Sequence, residues 1–322
     1  MSLALSHRPP QADTADWAAL ALGLAALVLA FQLLALGAVG SLFWLSTLVF
    51  WLASWRVAAA LAHGRFLGLR AGGALVPVVF GLTLLCLWEL VVRGLVVPVV
   101  LLPAPSAIGA RLGNSLPLLW ADFRQTFLKA VLAGYILGCG LGFLTALLVD
   151  RSPFLRRGLL PIGNLMSALP IIGVAPIMVM WFGFDWPSKA AVVVIMTFFP
   201  MLVNTVAGLS AAGAMERDLM RTYAASPGQS LMRLRLPAAM PFIFNALKIN
   251  STLALIGAIV AEFFGTPIVG MGFRISAEIG RLNTDMVWAE IAVAALAGSG
   301  FYALVAVAER LVTFWHPSMR SR

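Results

Sequence analysis

The chain has 322 residues, of which 61% are hydrophobic and only 11% are charged. A soluble domain carries about 25% charged residues. A disordered protein, a disulfide-stapled secreted domain and an ordinary soluble enzyme are therefore excluded, because too few charges exist to cover a water-facing surface. The formal charge of +9 includes only three lysines, Lys129, Lys189 and Lys248. No basic run marks a nucleic-acid footprint, and arginines scattered between apolar stretches read instead as membrane topology. Cys86 and Cys139 both lie in apolar runs and make no metal or disulfide pattern.

Crossing a hydrocarbon core of about 30 Å takes about 20 apolar residues. Residues 1–16, with Pro9 and Pro10, read as a loose tail. Trp17 to Trp55 holds no Asp, Glu, Lys or Arg and is long enough for two spans, with a hairpin at Gly37 to Ser41. It is too long for a signal-peptide core and leads into another span, so it reads as a retained anchor. Further spans are predicted at Leu75–Leu95, Val131–Val149, Leu160–Trp181, Ala190–Leu209, Ala238–Ala261 and Ile291–Ala308, making eight. The denser arginine clusters (Arg56, Arg65 and Arg70; Arg151, Arg156 and Arg157; Arg217, Arg221, Arg233 and Arg235; Arg320 and Arg322) then fall on one side. The positive-inside rule makes that side, and both termini, cytoplasmic.

Within the fourth span, Gly134, Gly138 and Gly142 recur on one helix face, where a second backbone can approach closely. Packing inside the chain and a subunit contact are the two readings. Pro161, Pro170 and Pro176 interrupt the fifth span, and irregular backbone at membrane depth belongs where protein or a water-filled cavity covers it. Polar residues cluster on three spans: Asn164 and Ser167; Asn204 and Thr205; Asn245, Asn250, Ser251 and Thr252. Each alone reads as interhelical glue; together they mark the spans that could line a pathway. Lys248 and Glu262 share the seventh span about 21 Å apart along the axis, too far to pair on one straight helix. No acidic pair or histidine chain sits at mid-depth, which weakens a proton-coupled carrier.

The stretch from Ser210 to Pro237 is the most informative. A short helix is predicted from Ala214 to Ala225, with Glu216 and Asp218 in its early turns, where the helix dipole favours anions. Met215, Leu219, Met220 and Tyr223 form an apolar stripe at helical spacing. Ser226-Pro227-Gly228 breaks this helix, and a second one is predicted from Gln229 to Leu236, ending at Pro237. An amphipathic element on the membrane surface and a knob that docks in a groove of a soluble partner use the same pattern. Composition leaves the two open.

This stretch resembles the EAA loop of ABC importer permeases, the binding-protein-dependent inner-membrane components. Asp218, Leu219 and Met220 stand at the E-A-A positions, Ala224 at the glycine position, and Leu236 and Pro237 at the Leu-Pro positions, without a gap. Ala225 and Ser226 also fit. The residues depart from the pattern as Asp for Glu, Leu-Met for Ala-Ala and Ala for Gly; a left-handed turn at Ala224 is costlier than at glycine. The resemblance covers roughly residues 74–322 and includes SALPIIGVAPIMVMWFGF at 167–184, LPAAMPFIFNALKI at 236–249 and AEFFG at 261–265. Together these are similar to the nitrate, sulfonate and taurine branch, with a lean toward its pyrimidine-precursor importers.

The resemblance implies an all-α polytopic membrane protein: a six-span permease core at 73–322 behind a two-span extension at 1–72. It implies a bacterial inner-membrane location and alternating access. It also implies a cytoplasmic ABC ATPase dimer as partner, carrying ATP and Mg, a periplasmic solute-binding protein, and a second permease, either the same chain or a different one. In that reading the loop at 210–237 couples to the ATPase. The chain itself has no GxxxxGK[ST] phosphate loop, no HExxH and no CxxC. It therefore offers no ATP site of that type, no catalytic set and no metal set. An ion-coupled carrier or channel without an ATPase, and a membrane scaffold, are the competing readings.

Overall fold

The computed structural model describes residues 12–66, 68–167, 170–265 and 268–315. Among the described residues every regular element is helical. Seven helices are long and apolar enough to cross a membrane, which establishes a polytopic, all-α membrane protein. The helices fall into two compact units, residues 1–111 and 112–322.

The first unit contains α1 (Thr14–Ala35), α2 (Ser41–Ala62) and α3 (Gly68–Gly94), and α4 (Pro105–Asn114) runs from it into the second. Asp13 caps α1 by accepting from the Asp16 amide at 2.7 Å. Asp16 is buried and paired with Arg56 at 3.2 Å and Arg65 at 3.3 Å. Gly37, at φ +69°, makes the turn expected between α1 and α2. Phe43 is fully buried against Gly94 of α3, where a Cβ would come within 2.5 Å of its ring. The hairpin expected as an extension is thus closed over by α3.

In the second unit, α5 (Leu116–Phe123), a π-helical turn (Arg124–Val131) and α6 (Leu132–Arg151) run on as one helical rod. α6 packs on α9 (Trp186–Ser210), and α9 packs on α12 (Leu236–Glu262). The three glycines of α6 make the first contact. A Cβ at Gly134 would lie 2.5 Å from Val193 Cβ, one at Gly138 2.1 Å from Thr197 Oγ1, and one at Gly142 2.5 Å from the Phe198 carbonyl. Of the two readings of this stripe, the structure realises packing within the chain. Ile136, Leu137, Leu144 and Leu148, off the glycine stripe of α6, are exposed, as expected of side chains whose solvent is lipid.

The expectation of eight continuous spans needs one correction. The stretch predicted as the fifth span is two shorter helices, α7 (Pro153–Ser167) and α8 (Ile171–Phe182). Pro170 stands at the N-cap of α8 in extended conformation, with ψ at 114°. It has no N–H to donate and holds the backbone out of the helix there. α13 (Met271–Gly280) and α14 (Thr284–Val312) complete the unit.

The ends of α5, α12 and α14 meet α13 in a buried polar cap. Asp122 accepts from the Gly270 amide at 2.6 Å and pairs with Arg274 at 2.9 Å. Glu262 accepts from Thr126 Oγ1 and the Gly272 amide, both at 2.7 Å. Glu262, the last residue of α12, is thus buried among these helices, and Lys248 pairs with Glu309 of α14 at 2.7 Å. Glu290 is fully buried beside Asp122 and Arg274, with no donor within bonding distance of either carboxyl oxygen.

Candidate functional site

The bracket predicted between the sixth and seventh spans is present. α10 (Ala214–Thr222) starts at Gly213, whose amide donates to Glu216 Oε2. Glu216 lies in the first turn, as the dipole argument requires. No residue of α10 is buried. Met215, Leu219 and Tyr223 are 85%, 55% and 78% exposed, so the apolar stripe points away from the rest of the unit. Asp218 pairs with Arg221 one turn on, at 3.4 Å. Met220 faces partly inward.

α10 ends earlier than predicted, at Thr222. Tyr223 is the cap, and Ala224 follows with φ +50°. The Ala224 amide bonds the Arg221 carbonyl and the Ala225 amide bonds the Met220 carbonyl, both at 2.9 Å. This is the paired hydrogen-bond pattern of a helix end whose left-handed residue is usually glycine. Ser226 then starts α11 (Pro227–Ser230): it receives the Gln229 amide at 3.2 Å, while its own amide donates to Gln229 Oε1 at 2.8 Å. Pro227 sits at the first helical position, where its missing N–H is harmless.

The second predicted helix, ending at Pro237, is corrected. α11 passes through a π-helical turn (Leu231–Arg235) directly into α12, a single rod from Pro227 to Glu262. The Leu236 amide bonds the Leu231 carbonyl five residues back. The register shift falls just before Pro237, which has no N–H to place, so the proline lies in the first turn of α12 instead of ending a helix.

At the foot of the bracket is a group that sequence reasoning missed. Arg235 donates Nη1 and Nη2 to the two carboxyl oxygens of Asp150, at 2.8 and 2.5 Å, and Nε to the Leu209 carbonyl at 3.1 Å. Asp150 lies in the last turn of α6, next to Arg151 and ahead of Arg156 and Arg157. A lone carboxylate beside an arginine cluster was the available signal.

The predicted pathway residues separate. Asn250 is fully buried and donates to the Thr197 carbonyl at 2.8 Å and to Cys139 Sγ at 3.2 Å. Ser251 is buried and bonds the Lys248 carbonyl, and Thr205 is buried with no partner for its hydroxyl. Asn204 donates its side-chain Nδ2 to the Pro200 carbonyl one turn back on α9, at 2.8 Å. These four lie among helices of one chain, because the helical phase turns them inward. Asn245 and Thr252 keep an exposed face of α12, spaced with Phe242, Ile249 and Ile256. The side chains of Asn164 and Ser167 lie outside the described residues.

At the end of the unit away from the bracket, Lys129 donates to Gln125 and Gln125 to Asp185, at 2.8 and 2.7 Å. They border a cleft of about 570 Å³ with Arg124. Asp185 caps α9, and the Trp186 amide it accepts, with Gln125 and the nearby lysines, holds its carboxyl below the usual carboxylate range. Among the described residues no group of His, Cys, Asp and Glu is arranged to hold a metal ion.

Residues 138–321, more than half of the chain, match the family described as binding-protein-dependent transport system inner membrane component. A probable ABC transporter permease protein of Haemophilus influenzae is 33% identical over 65% of this chain and 84% of its own length. The formylaminopyrimidine transport permease protein ThiX of Halalkalibacterium halodurans is 32% identical over 76% of this chain and 98% of its own. The putative aliphatic sulfonates transport permease protein SsuC of Bacillus subtilis is 29% identical over 76% and 88%. With a helical bundle of spanning length and an exposed two-helix bracket, the chain belongs to the binding-protein-dependent inner membrane components and is an ABC transport permease subunit.

Proposed function

We propose that this permease works as one of two copies, with both termini and the bracket in the cytoplasm. The bracket, Met215 to Pro237, seats in a cytoplasmic ABC ATPase dimer that holds ATP and Mg. A periplasmic solute-binding protein delivers the cargo to the opposite end, near the cleft bordered by Arg124 and Lys129. The cargo class is a small polar solute, a pyrimidine precursor or a sulfonate, in keeping with the named substrates of ThiX and SsuC. ATP binding by the partner favours one of two conformations, and the permease passes the solute by alternating access.

One observation supports this above the others: α10 has no buried residue, and its apolar stripe of Met215, Leu219 and Tyr223 stands free. Such a stripe with charged flanks suits a groove on a soluble partner. Asn245 and Thr252 are the proposed pathway residues, because α12 leaves their face uncovered by its own chain. The test is reconstitution with the ATPase and binding protein in vesicles. Tyr223→Glu or Ala224→Glu is expected to abolish stimulated ATP hydrolysis and transport while insertion stays normal. Unchanged transport by either variant overturns the docking role of the bracket.

A further inference from the structure

The foot of the bracket contains a three-way tie that the docking surface does not explain. One guanidinium, that of Arg235, bonds both carboxyl oxygens of Asp150 at the end of α6 and the Leu209 carbonyl near the end of α9. It stands on the last residue of the π-helical turn that joins α11 to α12. Both side chains are largely withdrawn from water, at 23% and 7% exposure. A planar fork with all three contacts in place fixes direction as well as distance, which a lysine cannot do.

The position of the tie matters for how a push would travel. α11, the π turn and α12 form one rod, and Thr252 lies on its exposed face 17 residues beyond Arg235, about 25 Å along the axis. A π turn is where a helix bends most readily. A displacement applied to the bracket would be absorbed by bending at Leu231–Arg235 unless something held that turn to its neighbours. Asp150 and the Leu209 carbonyl are the polar contacts that hold it, beside the apolar packing of Leu231 on the core, and they belong to the two helices packed against each other through Gly134, Gly138 and Gly142.

We propose that Arg235 is a positioning residue for energy coupling: clamped by Asp150, it makes α6, α9 and α12 move as one body when the bracket is displaced. This rests on the bracket being the ATPase-coupling element. The clamp touches neither nucleotide nor solute; it acts through α12 on the face that carries Thr252. Its removal therefore leaves ATP hydrolysis running and disconnects it from the membrane face.

The test uses the full complex purified with its ATPase and placed in lipid nanodiscs, with Thr252→Cys in a Cys86→Ala background. The readouts are ATP hydrolysis and the rate of labelling of the new cysteine by a membrane-impermeant maleimide, with and without ATP and vanadate. In the unclamped variant Asp150→Asn, hydrolysis is expected to stay within about twofold, while the vanadate-dependent change in labelling falls about tenfold, a size within known site-to-site couplings. Arg235→Lys, which cannot form the fork, is expected to lose the vanadate-dependent change in labelling to the same degree. The charge-reversed pair Asp150→Arg with Arg235→Asp regains the ion pair, though not the bond to Leu209, and is expected to recover at least part of the change.

Labelling that responds normally in Asp150→Asn overturns the proposal, as does a proportionate loss of hydrolysis and labelling together. Loss of insertion or of ATPase co-purification in Asp150→Asn, the least disruptive change, assigns the clamp to folding and also overturns it. A complex with the clamp intact that co-purifies with no ATPase, or whose labelling ignores vanadate, instead refutes the underlying reading of the bracket.

Discussion

The amide of Ala225 donates to the Met220 carbonyl at 2.9 Å, and closing that bond places the intervening Ala224 at φ +50°. The bracket therefore turns its corner on a residue with a Cβ where the conformation favours glycine. The left-handed region costs an L-residue with a side chain about 1 kcal/mol or more.

Ala224→Gly should therefore tighten the corner between α10 and α11. The expected gain is about 1 kcal/mol of local stability, partly offset by the greater freedom of glycine in the open chain. Amide exchange at Ala225, followed by mass spectrometry, should slow by severalfold. A β-branched residue at the same place, Ala224→Val, should speed it.

The α6–α9 contact makes a sharper contrast between two neighbouring glycines. A Cβ at Gly138 would lie 2.1 Å from Thr197 Oγ1 and 2.9 Å from the Val194 carbonyl, whereas one at Gly140 meets nothing within 4 Å. Gly138→Ala should cost about 1–3 kcal/mol through overpacking; Gly140→Ala should be neutral or slightly stabilising through helix propensity. Thermal unfolding in detergent separates the two.

In the buried polar cap, Asp122 and Glu290 should respond in opposite ways. Asp122 holds the Gly270 amide and the Arg274 guanidinium, so Asp122→Asn leaves a buried cation without its counter-ion and should destabilise by about 3 kcal/mol. Glu290 has two buried oxygens with no donor, and Glu290→Gln adds an N–H beside Asp122. That exchange should be neutral or stabilising by about 1 kcal/mol. Denaturation midpoints of the two variants against the parent chain check the order.

Asp218 should show function without stability. Its pair with Arg221 is exposed on both sides, at 69% and 83%, so Asp218→Asn should change stability by less than about 0.5 kcal/mol. If the bracket docks as proposed, the same substitution should weaken ATPase co-purification, read from the ratio of the two subunits after affinity capture.

Much of this molecule was legible in its sequence because the signals were local. Charge-free runs such as Trp17 to Trp55 require a lipid solvent whatever they pack against, and the hairpin at Gly37 follows from one backbone conformation. The bracket was legible too: Glu216 near a helix start, a stripe repeating with the helix, and Ser226-Pro227 as the next start. The end of α10 was placed late because its left-handed residue is Ala224 and not a glycine, and the run of α11 into α12 was misjudged because Pro237 reads as a stop. The π-helical turn before it, which frees the proline from its missing hydrogen bond, has no residue signature.

What only the tertiary structure decided were the relationships across the chain. Composition marked Asn250, Ser251 and Thr252 alike as polar groups in a span; helical phase together with α9 buries the first two and leaves Thr252 exposed. The pairing of Arg235 with Asp150, 85 residues apart, and the meeting of Asp122, Arg274 and Glu290 depend on which helices lie side by side. The sequence by itself determined the lipid solvent, the apolar lengths and the bracket, because hydropathy and helix periodicity act over a few turns. The partner of each buried charge was settled only by packing, because a side chain removed from water must find its counter-group wherever the fold brings one within reach.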